Sequence, residues 1–293
     1  MIDYNQPVAT VLAHSIFESC KNPLVTFQIR NHRWILAEIN THGALSKNTR
    51  SSRAVPTKTL LQEVREFPAK PIEWRKNISG MVAGDLMDAE EAAAAEADWL
   101  DDARDAADRT ERRFQRHNMH KQWTNRPLEP FTFSHTVLTG TEWNNFWARR
   151  FAADAQPEFK ALAKAMWEAL QQSTATLLLR GQWHLPYVTI EEQNTYSQRD
   201  CIKLSVARVA RVSYAPFDGN PKIEAERARH DMLLDHGHMS PFMHQGRQGQ
   251  WYVDSSSDEE EGDRSGNFCQ GWTQYRKLIP GENITTPFVP PIF

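Results

Sequence analysis

Cysteine is scarce in this chain. The three residues, Cys20, Cys201 and Cys269, lie far apart and form no C-x-x-C pair. An odd, scattered set argues against a disulfide framework or a cysteine zinc site, and for a reducing, cytoplasmic setting. Long apolar runs are also missing. None approaches the ~20 residues a membrane-spanning helix needs, and the N-terminus has no basic-then-apolar signal order. Excess charge is absent: 34 Lys and Arg face 37 Asp and Glu, a net charge of −3. That balance carries no footprint for a nucleic acid polymer, so any anion site must be local. No G-x-x-x-x-G-K-[ST] loop, G-x-S-x-G elbow or internal repeat is present, and Gly246-Arg-Gln-Gly-Gln is too short for a dinucleotide fingerprint.

What the chain has is apolar and aromatic mass. Forty per cent of its 293 residues are hydrophobic, with 10 Trp and 14 Phe, enough to build a core. Residues 1–23 read as a lead-in. Leu24 to Arg30 alternates, Val25, Phe27 and Ile29 against Thr26, Gln28 and Arg30, which predicts a half-buried strand. A turn and a helix carrying Glu38 and His42 follow. Pro56 suits the first turn of a helix ending near Arg65. Residues 67–86 read as loop, and the Ala/Glu/Asp-rich run to His117 as a long helix with one thin Ala/Trp stripe. Phe131 to Thr139 alternates as a strand and stops at Gly140. Thr141 is placed to cap the helix holding Asn145 and Arg150. Phe159, Leu162, Ala163, Met166 and Leu170 form a core stripe on the next helix. Further helices are expected at 199–212 and from Pro221 to about 235, and an acidic disordered loop at 254–265.

The stretch from Glu38 to Arg53 is chemically dense. After Gly43 it packs Ser46, Asn48, Arg50, Ser51, Ser52 and Arg53 into eight residues. Hydroxyls and guanidinium groups beside a helix end suit an anionic ligand. On composition alone the same stretch reads as a solvated loop with capping serines. His230, His236, His238 and His244 lie close in sequence, but no acidic or cysteine ligand completes a metal spacing, so no metal is expected. Cys201 has charged neighbours in Arg199 and Lys203 and no catalytic motif around it.

Three separate stretches resemble the flavin-dependent thymidylate synthases. The family signature is R-H-R-x-x-S-x-N-E-x-S-x-R. Thr41-His42-Gly43, Ser46, Asn48, Thr49, Ser51 and Arg53 fall in its register without a gap. Ala210-Arg211-Val212-Ser213 and Gly237-His238-Met239-Ser240-Pro241-Phe242-Met243-His244 resemble a second pair of family motifs. Asn125-Arg126 through Pro130, then Asn145-Phe146 and Arg150, resemble a third. The order differs: the Ser-Pro-Phe stretch follows the signature instead of preceding it. The chain therefore looks like a circular permutant of a divergent, viral-type member. Residues 1–180 match the family's C-terminal part and 196–253 its N-terminal part, in one domain. In this reading the segment after His244 runs up to the N-terminal strand in space. Thr41, Gly43, Thr49 and Met243 stand where the family has Arg, Arg, Glu and Glu.

The resemblance implies an α+β fold, a mixed sheet with long helices. It implies transfer of a one-carbon unit from methylenetetrahydrofolate to C5 of dUMP, with FAD supplying hydride and NADPH re-reducing it. Arg150 would sit at the pyrimidine edge and stabilise charge there. Glu38, Thr41, Thr49, Arg50, Ser51, Ser52, Arg53 and Arg126 would hold the nucleotide and its phosphate. His42, Ser46, Asn48, Thr139, Thr141, Asn145, Ser213, Ser240 and His244 would lie along the flavin. A homotetramer is implied as well. Two alternatives stay open: a hydroxymethylase or related C5-modifying enzyme acting on dUMP or dCMP, and a non-catalytic nucleotide- or flavin-binding relative.

Overall fold

The computed structural model describes residues 4–249 and 263–282. In chain order the elements are β1 (Val8–Phe17), β2 (Cys20–His32), α1 (Leu36–Asn40), β3 (Ser46–Thr49), α2 (Thr57–Glu66), α3 (Ala89–His117) and α4 (Lys121–Thr124). Then come β4 (Phe133–Gly140), α5 (Asn144–Arg150), α6 (Pro157–Gln171), β5 (Thr176–Leu177), β6 (Trp183–His184), α7 (Ile190–Thr195) and α8 (Gln198–Arg211). The described part closes with α9 (Ile223–Asp235), β7 (Gly246–Gln248) and β8 (Trp272–Gln274). Five strands form a mixed sheet in the order β3-β4-β2-β1-β5, in which only the β1–β5 pair is parallel. A small antiparallel sheet, β6-β7-β8, forms its own hydrogen-bonded ladder and packs against the β1–β2 end of the first. The fold is α+β with a mixed sheet. Among the described residues no helix is long and apolar enough to cross a membrane.

The period-2 pattern of β2 and β4 decides the layers. Val25, Phe27, Ile29 and Leu138 point to one face, where Phe146 of α5 and Phe159, Leu162 and Met166 of α6 bury them. Val137 points the other way and meets Val209 of α8 and the following Val212. A satellite core joins Leu60, Leu61 and Val64 of α2 to Ala103 and Ala107 of α3. Asp88 starts α3 with a capping box to Glu91, so the long polar helix is fixed at its N-terminus and along its thin alanine stripe.

Several expectations need correction. Residues 1–23 are not a lead-in, since they contain β1 and the start of β2. The helix carrying Glu38 is only five residues long, and His42 lies just beyond it. Ser46–Thr49 is an edge strand, not a loop. Thr141 does not cap α5. Its hydroxyl instead accepts the Cys269 backbone N–H at 2.8 Å. The acidic run lies outside the described residues up to 262. The segment after His244 does reach the N-terminal strands: Phe268 and Trp272 pack on Phe17, Cys20 and Leu24.

Candidate functional site

Two cavities meet at Arg150, the last residue of α5. One, about 420 Å³, is lined by Thr41, His42, Asn145, Arg149, Asp154 and Gln156. The other, about 730 Å³, runs past Glu38, Trp74, Met81, Pro157 and Lys160. Arg150, Asp154, Ala155 and Gln156 line both. The Arg150 guanidinium lies 3.9 Å above the Phe159 ring. Its Nε–H donates to His42 Nε2 at 3.0 Å, and an Nη2–H reaches the Glu38 carbonyl at 3.4 Å. Arginine has no acceptor, so this bond requires an unprotonated Nε2 on His42. Burial first, then the charges of Arg150 and Lys47, push the His42 pKa down to about 4. Burial also holds Arg150 below the usual arginine range, opposed by the Glu38 carboxylate. Glu38 Oε2 is buried, with no hydrogen-bond partner among the described residues. The two cavities thus bring to Arg150 a buried, unpartnered carboxylate oxygen from one side and a neutral imidazole from the other. Glu38, Thr41, His42, Asn145 and Arg150 are brought together here. Arg149, Asp154, Gln156, Trp74 and Lys160 were missed by sequence reading. The signal was the polar Asp154–Gln156 gap between two apolar-striped helices.

The residues expected at a phosphate form a separate cluster around Glu129. Ser52 Oγ, Arg126 Nη1 (2.9 Å) and Arg33 Nη2 (3.2 Å) all converge on Glu129 Oε1. Arg50 is buried and bidentate to Glu63 at 2.7 and 3.1 Å. Arg53 is exposed beside this cluster. Thr49 accepts from Thr136 Oγ1, and the Ser51 N–H donates to the Ser213 carbonyl at 3.2 Å. None of Thr49 to Arg53 and not Arg126 lines the Arg150 cavities.

The residues expected along a flavin divide. His42 and Asn145 open onto the cavity. Ser46, Asn48, Thr139, Thr141 and His244 are buried. Asn48 bonds the Val209 carbonyl at 2.9 Å and receives the exposed Ser240 hydroxyl at 3.2 Å. Ser46 donates to Asn267 Oδ1 at 2.9 Å. A continuous buried chain links Ser15, His184, Thr26, Thr139 and His244 through contacts of 2.9, 2.7, 2.8 and 2.8 Å. Burial pushes both imidazoles down to about 3, so they are neutral. The first and second motif stretches meet at β3 through Asn48, and most of their buried polar groups are engaged with one another, His244 Nε2 being an exception among the described residues. They do not form an open cradle that fits a flavin within this chain. His230 instead binds Asp231 at 2.8 Å, and among the described residues no metal-holding group of His, Cys, Asp and Glu exists. Cys201 is buried, and burial raises its thiol pKa, which makes it a poor nucleophile.

No protein-family model matches the chain, and no curated protein matches it. Among solved structures, one similar to it is the UMP/dUMP methylase PolB from Streptomyces cacaoi bound with 5-Br UMP. The two share 13% identity over 57% of this chain and 90% of that one, with a TM-score of 0.45. Another is the flavin-dependent thymidylate synthase ThyX from Helicobacter pylori complexed with FAD and dUMP. Here identity is 18% over 50% of this chain and 67% of the other, with a TM-score of 0.34. Each likeness covers only part of the chain.

Proposed function

We propose that this chain transfers a one-carbon unit to C5 of a pyrimidine deoxynucleotide, dUMP in the first instance, with Arg150 at the base. The observation that supports this most is convergence. Glu38–His42 and Asn145–Arg150 come from two resembling stretches, and His42 and Arg150 meet at one cavity from 108 positions apart. A uracil edge presents an N3–H between two carbonyl oxygens. Glu38 Oε2 is buried and unpartnered among the described residues; a side-chain turn that exposes it lets it accept that N–H, and the Arg150 guanidinium donates to a neighbouring carbonyl. Holding negative charge on the ring oxygens makes C5 electron-rich, which is the requirement for attack on an electrophilic carbon. His42, neutral and accepting from Arg150, is a positioning residue that fixes the guanidinium plane. The phosphate set of Ser51, Ser52, Arg53 and Arg126 lines no part of this cavity. In this reading a second copy supplies it, as a homo-oligomer.

The resemblance names methylenetetrahydrofolate as carbon donor and FAD with NADPH as reductant. A methyl product needs two electrons per transfer. A hydroxymethyl product needs none, because water closes the adduct. Five of the nine flavin-side residues, Ser46, Asn48, Thr139, Thr141 and His244, are buried with partners inside the chain, and this favours a second reading: hydroxymethylation of dUMP or dCMP. The purified chain, incubated with dUMP and in a parallel tube with dCMP, each with methylenetetrahydrofolate, FAD and NADPH, and analysed by mass spectrometry, tests both. A methyl adduct at C5 supports the first and a hydroxymethyl adduct the second. Unchanged nucleotide, with folded protein and every co-substrate present, overturns both.

A further inference from the structure

Cys20 opens β2, and Cys269 lies in the turn before β8. They are 249 positions apart in sequence, yet their Sγ atoms are 4.0 Å apart. Phe17, Leu24, Phe268 and Trp272 hold the pair in one cluster, with the Trp272 indole N–H donating to the Asn22 carbonyl at 3.1 Å. Cys269 is further fixed by its backbone N–H on Thr141 Oγ1. Cys20 and Cys269 are among the residues lining a cavity of about 600 Å³ with Ser19, Asn22, Glu142 and Gln270, and Cys269 is the partly exposed one, so a small solute reaches the pair from its side. Cys201 belongs to a different cluster, with Trp183 and Leu185.

The geometry points to Cys20 and Cys269 as a dithiol that closes to a disulfide, a modification site fastening the 263–274 segment onto the β1–β2 hairpin. A side-chain shift of about 2 Å brings the sulfurs to bonding distance. With hydrogen peroxide as oxidant, the better-exposed Cys269 thiolate attacks one peroxide oxygen and the O–O bond breaks. This gives the sulfenic acid and one water, the thiol supplying the proton. The Cys20 thiolate then attacks that sulfur, the S–O bond breaks, a second water leaves, and the S–S bond forms. Two thiols are oxidised and one peroxide is reduced to two waters.

The consequence is mechanical. The fastened segment carries Asn267, which accepts from Ser46 Oγ, and Gln274, which donates to the Met243 carbonyl at 3.0 Å. Closing a loop of this length removes much denatured-state entropy, so the oxidised form is the more stable one. Burial raises the Cys269 thiol pKa, so closure quickens as pH rises: the device is a staple, not a fast sensor. The inference does not depend on the proposed reaction.

The test uses the full chain, folded and reduced. It is exposed to hydrogen peroxide, quenched with N-ethylmaleimide, digested without reductant and mapped by mass spectrometry. The expected result is one linked peptide pair holding Cys20 and Cys269, loss of label from both, and Cys201 labelled once the chain is unfolded. The melting temperature rises and returns on adding dithiothreitol. In Cys20→Ser, Cys269 stops at a sulfenic acid that dimedone traps, and peroxide leaves the melting temperature unchanged. The inference is overturned if both cysteines take full label after peroxide that fully oxidises glutathione in the same tube. Linkage to Cys201 or to a second chain overturns it as well.

Discussion

Arg150 is held by three features at once: the Phe159 ring beneath it, the His42 lone pair and the Glu38 carbonyl. Its role therefore depends on guanidinium geometry as well as charge. Arg150→Ala is expected to weaken dUMP binding by roughly 10- to 100-fold, the loss of charge-assisted hydrogen bonds worth about 1.5–3 kcal/mol. Arg150→Lys keeps the charge but loses the Nε–H and the planar stack, and calorimetric titration should place it between wild type and Ala. The buried imidazoles make a separate, pH-dependent prediction. His184 and His244 titrate near 3 in the folded chain and near 6.5 when unfolded. Between those values the unfolded chain binds protons that the folded chain does not. Stability from this pair is complete above pH 6.5 and falls as pH drops toward 3, by about 1.4 kcal/mol per pH unit for each imidazole. Urea titrations at pH 7, 6 and 5 read this slope, and His184→Gln should remove about half of the pair's share.

Among the elements, α7, α8 and α9 are joined through one buried cation. Arg208 of α8 is fully buried and pairs with Glu192 of α7 at 2.5 Å and Glu226 of α9 at 3.0 Å. Arg208→Met leaves the buried Glu226 carboxylate with only the Arg211 guanidinium, 3.9 Å away, and should cost about 3 kcal/mol by chemical denaturation. Adding Glu226→Leu should recover part of that loss, since a well-packed apolar pair replaces a buried ion pair at little cost. The elements legible in the sequence were those whose pattern is local. The alternation of Val25, Phe27 and Ile29 and the stripe from Phe159 to Met166 both marked real core faces. β1 was missed because most of its side chains are only partly buried, leaving no clean period. β3 was missed for a different reason. Ser46 and Asn48 are polar yet buried, which is affordable only because Asn267, Val209 and Ser240 supply partners from 161 to 221 positions away. No window of local sequence contains that information.

For the molecule as a whole, the join between its two ends matters most. Trp272 packs tilted against Phe17 with ring centroids 4.3 Å apart, and β7 approaches so closely that a Cβ on Gly246 would lie 2.7 Å from Leu24 and 3.3 Å from Trp272. Gly246→Ala should therefore destabilise the protein by about 1–3 kcal/mol through overpacking, readable as a lowered melting temperature. The same long-range join explains how the candidate site was read. The sequence assigns Glu38, Thr41 and Arg150 to a nucleotide and His42 and Asn145 to a flavin, whereas the fold puts all five on two cavities that adjoin at Arg150. It could not show that Thr139, Thr141 and His244 spend their polar atoms on Thr26, Cys269 and one another, because those partners lie more than 100 positions away. The central claim is that the Arg150 cavity holds a pyrimidine nucleotide. Calorimetric titration of dUMP into the purified chain and into folded Arg150→Ala tests it most directly. The account predicts saturable binding to wild type that weakens roughly 10- to 100-fold in the variant. Absence of binding to wild type, or equal affinity in both, contradicts it.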